Sequence, residues 1–318
     1  MLPILGRPNY HPPGAATITD PTVSICIPFY TGREYLKRCL NSLDGASADT
    51  TYEIVVIEDA GPESADVDGP VRVRHAVNAS NLGFGGTVNR AIEMARGEFL
   101  LVLNSDAELR PGAIDHLVET MQSDGRLAAV GPLVTNADGT YQPQCRRGRL
   151  TPLNAALYFT GLARFQSPDR AYIHPEVQFS EAEDVAALSG CCVLLRRAAF
   201  DAVGGFDDSM RLYGEDLDLC YRLRDDGWRL RFEPAACVLH HGGKGGTEAR
   251  PWHSRYHYHR SMARLFRKHG AAAYPLYGWA VNLVLWGHLL GSATVVPLRR
   301  RGVATPKEHG RAVPEAVR

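Results

Sequence analysis

The sequence lacks an excess of charge of either sign. Its 35 lysines and arginines balance 35 aspartates and glutamates, so the formal net charge of the 318 residues is zero. Proteins that bind nucleic acid usually carry a strongly basic surface. The balance therefore argues against nucleic acid as a partner. The apolar content, 45%, is ordinary for a globular chain that forms a sizeable core in one large or two small domains.

The sequence also lacks paired cysteines and an N-terminal apolar run. Its seven cysteines form no CxxC pair and mostly lie within apolar stretches, so we expect reduced, buried thiols in a cytoplasmic protein. Residues 1–21 are interrupted by prolines and contain no long apolar segment. A signal peptide needs such a segment, so this stretch is predicted to be a loose lead-in and not a signal peptide.

The glycine-rich stretch "GFGG" at residues 83–86 lacks the features of two familiar phosphate-binding loops. No Gly-Lys-Ser/Thr follows it, which argues against a P-loop, and its spacing fails the GxGxxG pattern of NAD-dependent dehydrogenases. Its backbone N–H groups would still lie at the start of a helix, where anions bind readily. The stretch is a candidate anion cradle with little specificity of its own.

Strand-like and helix-like segments alternate through the first half of the chain. The runs "TVSICIPFY", "YEIVVIEDAG", "VRVRHAV", "EFLLVLNSDAEL" and "LAAVGPLV" read as strands. Helical patterns separate them at residues 34–43, in "GGTVNRAIEMARG" with Gly97 as its C-terminal cap, and from Pro111 onward. This alternation predicts an α/β fold with a mostly parallel sheet covered on both faces, which binds ligands at the carboxyl ends of its strands.

Three of these strand ends carry acids or amides: "IEDAG" at 57–61, "NASNLGFGG" at 78–86 and "LNSDAEL" at 103–109. Asp and Asn are common turn residues, so each stretch alone could be a simple turn. Their recurrence at one edge of the sheet favours a binding site. Asp106, which ends an apolar strand, suits a hard divalent cation shared with substrate phosphates.

Three acids begin a later helical pattern in "YGEDLDLCYRLRDDGWRL". In a helix over residues 215–226, Asp216 and Asp218 point about 200° apart, so both cannot face one small site. Asp218 precedes Arg222 by four residues, the spacing of a stabilising ion pair. Asp216 lies on an otherwise apolar face. It is predicted either to cap the helix or to face a site.

Seven stretches, in order, resemble family 2 glycosyltransferases of the GT-A fold, in particular the bacterial rhamnosyltransferase-like branch. They are "VSICIPFYTGREYLKRCLNSL", "EIVVIEDAG", "NLGFGGTVNRAI", "EFLLVLNSDAEL", "LSGCCVLLRRAAFDAVGGFDDSM", "YGEDLDLCYRLRDDGW" and "VLHHGGKGG". The resemblance implies a GT-A catalytic domain at 22–246, with a Rossmann-like nucleotide-sugar half (22–135) and an acceptor half (136–246) around a mostly parallel mixed sheet. C-terminal helices (247–298) and a disordered tail (299–318) would follow.

The resemblance also implies roles for individual residues. Asp106 and His240 would hold Mg²⁺ or Mn²⁺ against the diphosphate of the donor. Asn104 departs from the aspartate that many members carry at this position. Asp216 would be the general base, and Glu215 would orient the acceptor or its loop. The residues implied to bind the nucleotide sugar are Pro28, Phe29, Tyr30, Glu58, Asp59, Asn81, Gly83, Asn104 and Ser105.

The resemblance implies a metal-dependent inverting transfer of L-rhamnose from dTDP-rhamnose to a cell-surface glycan acceptor linked to polyprenyl diphosphate. A cation stabilises charge on the leaving diphosphate, and a carboxylate removes the proton of the attacking hydroxyl. Two alternatives stay open: a UDP-hexose donor, and a catalytically silent scaffold that binds sugar nucleotides or glycans. Residues 142–183, expected to shape the acceptor side, contain no readable motif.

The C-terminal region contains a segment that is a candidate for contact with a membrane. Residues 271–298 contain no Asp, Glu, Lys or Arg and are flanked by basic residues on both sides. A membrane-surface helix, a membrane span and a packed soluble helix all fit this pattern. We expect a cytoplasmic protein at the inner face of the cell membrane. A zinc site at His253, His257 and His259 is disfavoured because no cysteine or acid nearby completes the ligand set.

Overall fold

A computed structural model describes residues 20–67, 73–151, 181–248 and 250–270, and the single positions 154, 157, 172, 173, 287 and 313. The strands are β1 (Val23–Phe29), β2 (Tyr52–Glu58), β3 (Val73–Val77), β4 (Phe99–Leu103), β5 (Ala107–Leu109), β6 (Leu127–Thr135), β7 (Arg146–Arg147), β8 (Glu183–Asp184), β9 (Ala187–Leu188), β10 (Cys192–Arg196) and β11 (Arg229–His240). The α-helices are α1 (Arg33–Ser42), α2 (Gly83–Met94), α3 (Ala113–Ser123), α4 (Arg197–Ala202), α5 (Glu215–Asp225) and α6 (Pro251–Gly270).

The first half of the chain forms the parallel part of a nine-stranded sheet, in the order β3-β2-β1-β4. The apolar runs predicted as strands are buried in β1, β2 and β4, because helices cover both faces of a parallel sheet. β3 lies at the outer edge and is more exposed, as its alternating pattern indicates. The carboxyl ends of β1, β2 and β4 therefore meet at one edge.

The second half makes the sheet mixed. β10 runs antiparallel between β4 and β6, and β11 pairs in parallel with β6. β4, β6 and β11 consequently point the same way, and β10 begins where they end, with Cys192 opposite Leu103. The loop before β10 and the end of β11 thus reach the same edge as the ends of β1, β2 and β4. The predicted α/β fold with a mixed sheet is confirmed.

The prediction that Gly97 caps α2 is wrong. The helix ends at Met94, and Ala95 is already extended with ψ 147°. Gly97 instead packs against β1, where a Cβ atom would lie 2.6 Å from the backbone nitrogen of Ser24. Its N–H donates to the Ser24 hydroxyl at 2.8 Å. Glycine is needed here for close approach of two backbones.

The cysteines belong to the core, as predicted. All seven are free and buried. Burial raises the pKa of Cys26 to about 12, so its thiol stays protonated and unreactive at neutral pH. The cysteines act as small apolar residues.

Helix α6 is held against α5 by a buried carboxylate. Asp218 has no exposed surface and accepts from Arg222 at 2.8 Å, which confirms the predicted pair. His269 and Lys268, at the end of α6, lie 2.7 Å and 2.8 Å from the same carboxylate. These contacts outweigh the effect of burial and lower the pKa of Asp218 below its usual value. The acid thus serves to join the two helices.

The predicted C-terminal segments, 271–298 and 299–318, lie outside the described residues except for Gly287 and Val313, and most of the N-terminal lead-in does as well. Among the residues that are described, no helix combines the length and the apolar character needed to cross a bilayer.

Candidate active site

A cavity of about 430 Å³ opens where the strand ends meet. All the predicted site residues line it except Glu58. The lining comprises Pro28, Phe29, Tyr30, Asp59, Asn81, Gly83, Phe84, Thr87, Asn104, Ser105, Asp106, Ser189, Gly190, Cys191, Arg211, Leu212, Tyr213, Glu215, Asp216, His240, Gly243, Gly245, Gly246, Thr247, Arg250, His253 and Ser254. Residues scattered over most of the described chain are therefore brought together in one site.

Asp106 and His240 form one corner of the cavity. Asp106 follows β4, and His240 ends β11, so the sheet brings Asp106 Oδ1 within 3.3 Å of His240 Nε2. The other carboxylate oxygen accepts from the backbone N–H groups of Lys244 and Gly245 at 2.9 Å and 3.3 Å. Burial alone would raise the pKa of Asp106, but the contacts with His240 and these amides lower it below the usual value. The carboxylate is thus ionised at neutral pH.

This corner fits a divalent cation that the protein only partly surrounds. Neighbouring ligands of an octahedral Mg²⁺ lie about 3 Å apart, close to the separation of the Asp106 and His240 donors. Beside them, the buried Oδ1 atom of Asn104 has no hydrogen-bond partner in the described structure. No group of three or more His, Cys, Asp or Glu side chains there could hold a metal by itself. Such a site suits Mg²⁺ or Mn²⁺ completed by phosphate oxygens and water.

Asp59 organises the second corner. Its carboxylate accepts from the backbone N–H groups of Leu82 and Gly83 at 2.6 Å and 3.0 Å, and from the Asn78 side chain at 3.0 Å. Asn81 donates to the Asp59 carbonyl at 3.2 Å. These bonds fix the loop after β3 against the end of β2. A carboxylate has about four acceptor positions, so Asp59 retains capacity for a ligand.

The structure corrects the expectation for Glu58, which does not line the cavity. Its carboxylate lies 3.0 Å from His75 and accepts from the Ala65 N–H at 2.6 Å and from Ser64 at 3.1 Å. Successive side chains of a strand point to opposite faces, so Glu58 and Asp59 at the end of β2 cannot both face the cavity. Glu58 secures the loop that follows β2.

Gly83 begins α2 in a backbone conformation that other residues avoid. Its φ is +79°, and a Cβ atom would lie 2.4 Å from the carbonyl oxygen of Arg211. The next residue, Phe84, donates its N–H to that same oxygen at 2.9 Å. Gly83 therefore permits α2 to contact the loop before α5.

We expect Gly83→Ala to destabilise the fold and to weaken nucleotide binding. The left-handed backbone alone costs a residue with a Cβ about 1–2 kcal/mol, and the clash with Arg211 adds to this. Gly45→Ala is the matched control, because Gly45 has φ +87° but open space around its Cβ position. Urea unfolding of both variants isolates the contribution of the clash. Equal losses in the two would show that the contact with Arg211 is unimportant.

Asp216 lies in the wall of the cavity at the start of α5. Its Oδ2 atom accepts from Arg147 at 2.5 Å and from the Gly190 N–H at 3.2 Å. Oδ1 accepts from the Leu217 N–H at 2.8 Å. Arg147 is itself buried and also donates to the Leu188 carbonyl at 2.7 Å. The Asp216 carboxylate is therefore held in one orientation. Asp216 lies on the side of α5 that faces the cavity, whereas Asp218 lies on the side that faces α6.

Glu215 stands beside Asp216 but in a different environment. It is buried, and its Oε2 atom has no hydrogen-bond partner in the described part of the chain. Burial, and then the charge of Asp216, raise the pKa of Glu215 well above its usual value. Tyr213 and Gly214, with φ of 65° and 83°, make the sharp turn into the helix. Strained backbone of this kind is frequent at functional sites.

Several residues of the site were missed from the sequence. Arg147 comes from the region without a motif and meets Asp216 across 69 residues, so no local pattern could reveal it. Asn78 and the amides of Lys244 and Gly245 lie within stretches whose importance was visible, but their partners were not. Their sequence signal was the presence of polar residues next to glycines at the ends of strands.

Comparisons with known proteins agree with this geometry. A sequence model described as Glycosyl transferase family 2 matches residues 24–204. The chain is 32% identical to an N-acetylglucosaminyl-diphospho-decaprenol L-rhamnosyltransferase of Mycobacterium tuberculosis over 291 residues, which cover 86% of this chain and 94% of that protein. The chain is thus similar to this relative over almost its whole length.

Solved glycosyltransferase structures share the fold. The mannosyltransferase PcManGT from Pyrobaculum calidifontis, solved with GDP-Man and Mn²⁺, has a TM-score of 0.53 and 14% identity, covering 91% of this chain and 77% of that chain. Residues 1–349 of TarS from S. aureus give a TM-score of 0.50 and 15% identity, covering 85% and 80%. At these identities the likeness concerns the fold.

Proposed function

The chain belongs to glycosyl transferase family 2 and is a rhamnosyltransferase-like enzyme with the GT-A fold, and from this premise we propose its specific reaction. The enzyme transfers L-rhamnose from dTDP-rhamnose to a sugar linked to polyprenyl diphosphate, depends on Mg²⁺ or Mn²⁺, and inverts the anomeric configuration. The donor and acceptor are suggested by the M. tuberculosis relative, whose name specifies a rhamnosyl transfer and a diphospho-decaprenol acceptor.

One observation carries the proposal: a single cavity holds both a candidate metal corner and a fixed carboxylate. Asp106 and His240 lie at one position of its wall, and Asp216 at another. A glycosyl transfer needs these two functions, because charge develops on the leaving diphosphate while the acceptor hydroxyl loses a proton. A binding scaffold would need no fixed base.

Each side chain then has a defined part in the reaction. Asp106 and His240 would hold the cation, which would supply Lewis-acid stabilisation of the leaving diphosphate. Asp59, Asn81 and the strand end at 28–30 enclose the nucleotide. The Asp216 carboxylate accepts the proton of the acceptor hydroxyl, whose oxygen forms the new glycosidic bond as the sugar–phosphate bond breaks. A single displacement of this kind inverts the configuration.

The proposed acceptor determines where the enzyme works. A sugar on polyprenyl diphosphate is anchored in a membrane by its hydrocarbon chain. We therefore place the enzyme at the cytoplasmic face of the cell membrane, acting in the synthesis of a cell-surface polysaccharide.

A donor panel tests the proposal. Wild-type enzyme is incubated with dTDP-rhamnose, UDP-galactose, UDP-N-acetylglucosamine and GDP-mannose, each with N-acetylglucosaminyl-diphosphate-farnesol as acceptor, with Mn²⁺ or with EDTA. We expect product only from dTDP-rhamnose with the metal, and NMR of the new linkage should show inversion. Transfer from a UDP sugar would show that the donor is not dTDP-rhamnose, and turnover in EDTA would show that the reaction needs no metal. Failure with every donor would favour a binding scaffold.

A further inference from the structure

The charges of helix α6 are unevenly neutralised. The helix contains no aspartate or glutamate. In its C-terminal half, Lys268 lies 3.0 Å from Asp207 and 2.8 Å from Asp218, and Arg264 lies 3.7 Å from Asp207. Arg264, Lys268 and His269 of that half thus have acidic partners on neighbouring elements.

The N-terminal half of α6 carries basic residues without such partners. We define the basic surface as Arg211, from the loop before α5, together with His253, His257 and Arg260 of α6. The rings of His253 and His257 lie 4.3 Å apart. Burial, and then the charges of His253, Arg211 and Arg260, lower the pKa of His257. Within the described ranges, none of the four forms an ion pair with an acid, so the positive charges of Arg211 and Arg260 are uncompensated.

The basic surface begins inside the active-site cavity. Arg211 and His253 line the cavity, whereas His257 and Arg260 continue one and two turns farther along α6. Arg211 also lies five residues before Asp216, on the loop that leads into α5. If the sugar hydroxyl of an acceptor reaches Asp216, the groups attached to that sugar would therefore lie along the basic surface. The metal corner is built from other elements, the ends of β4 and β11 and the glycine loop after β11.

Exposed aromatic side chains flank the basic surface. The large apolar side chains that are exposed in the described structure are Val77, Leu82, Tyr213, Trp252 and Tyr256. Three of these belong to α6 or to the loop before α5. Trp252 and Tyr256 are 47% and 43% exposed, and the Tyr256 ring lies 5.4 Å from that of His257. A ligand that joins an anionic group to a hydrocarbon chain would match both features.

We propose that the basic surface binds the diphosphate of the acceptor, so that its sugar enters the cavity and its prenyl chain lies against Trp252 and Tyr256. This inference rests on the proposed function for the identity of the acceptor. It assigns the two diphosphates of the reaction to different parts of the site: that of the donor to Asp106 and His240, and that of the acceptor to the basic surface. The aromatic residues would then mark where the enzyme meets the membrane.

The double variant Arg211→Gln/Arg260→Gln tests this assignment. The KM for N-acetylglucosaminyl-diphosphate-farnesol in detergent should rise about 10- to 100-fold, since charge-assisted hydrogen bonds to phosphate are lost. The KM for the donor, and that for octyl N-acetylglucosaminide, which has no phosphate, should be unchanged. Arg38→Gln/Arg126→Gln is the control, because these arginines are exposed on α1 and before β6. It should leave the acceptor KM unchanged.

Three results would overturn the assignment: a raised donor KM, an equal rise for the octyl glycoside, or an unchanged KM for the diphosphate acceptor. If the variant lost only its affinity for vesicles of phosphatidylglycerol, the basic surface would bind a membrane headgroup instead. Calorimetry with farnesyl diphosphate, in the presence of dTDP and Mn²⁺, separates this inference from the proposed function. Binding that the double variant loses supports the basic surface even if no donor in the panel is used.

Discussion

Asp216→Asn should lower kcat about 10²- to 10⁴-fold while nucleotide binding is retained, the loss expected when a general base is removed. The amide keeps the size of the side chain but cannot accept a proton from the acceptor hydroxyl. Arg147 and the Gly190 N–H hold the native carboxylate in place, so its orientation is set before the acceptor binds. Steady-state kinetics with both substrates and titration with dTDP and Mn²⁺ measure the two quantities.

The controls for this variant address folding and the neighbouring acid. Asparagine leaves the buried Arg147 guanidinium without its carboxylate, so thermal unfolding must show that the variant is folded at the assay temperature. Asp225→Asn, an exposed acid on the same helix, should have normal activity. Glu215→Gln should impair turnover less than Asp216→Asn, because burial and the charge of Asp216 raise the pKa of Glu215 and favour its neutral form, which is a poor base. A larger loss of turnover in Glu215→Gln than in Asp216→Asn would indicate that Glu215 is the base.

Asp106→Asn should abolish the stimulation of activity by Mn²⁺ and lower kcat/KM about 10²- to 10³-fold, since Lewis-acid stabilisation of the leaving group contributes several kcal/mol. The variant removes the carboxylate of the metal corner and, among the described residues, the acid that contacts His240. Titration with dTDP, with and without Mn²⁺, should show that the metal no longer strengthens nucleotide binding. Binding measured without metal should change little.

Glu108→Gln is the matched control for the metal corner. Glu108 lies two residues farther along the chain and contacts His241 at 2.6 Å, outside the lining of the cavity. It should retain its response to Mn²⁺. A full Mn²⁺ response in Asp106→Asn, or an equal loss in Glu108→Gln, would show that the cation is held elsewhere.

Local features of this protein could be predicted from its sequence alone. The buried runs of β1, β2 and β4 and the start of α5 follow from apolar periodicity, which neighbouring residues encode by themselves. The pairing of Asp218 with Arg222 follows in the same way, because one helical turn brings them together in any fold. The ordered motifs also identified the family, and with it twelve of the 27 residues that line the cavity.

The contact partners of the functional groups could be identified only in the tertiary structure. Glu58 and Asp59 are adjacent, and only the contacts of the loops after β2 and β3 show which of them faces the cavity. Gly97, which the sequence suggests as a helix cap, proved to be a contact with β1. The contrast between Arg260, without an acidic partner in the described structure, and Lys268 could be recognised only once the positions of Asp207 and Asp218 were known.

The class of fold, the family and the edge of the sheet at which the cavity opens could all be predicted from the sequence. Only the folded chain decided that Arg147 fixes Asp216 and that His240 joins Asp106. The physical reason is the range of the interactions. Periodicity, turns and helical pairs arise between residues a few positions apart, whereas these contacts join residues that nothing but the assembled sheet and its loops brings within hydrogen-bonding distance.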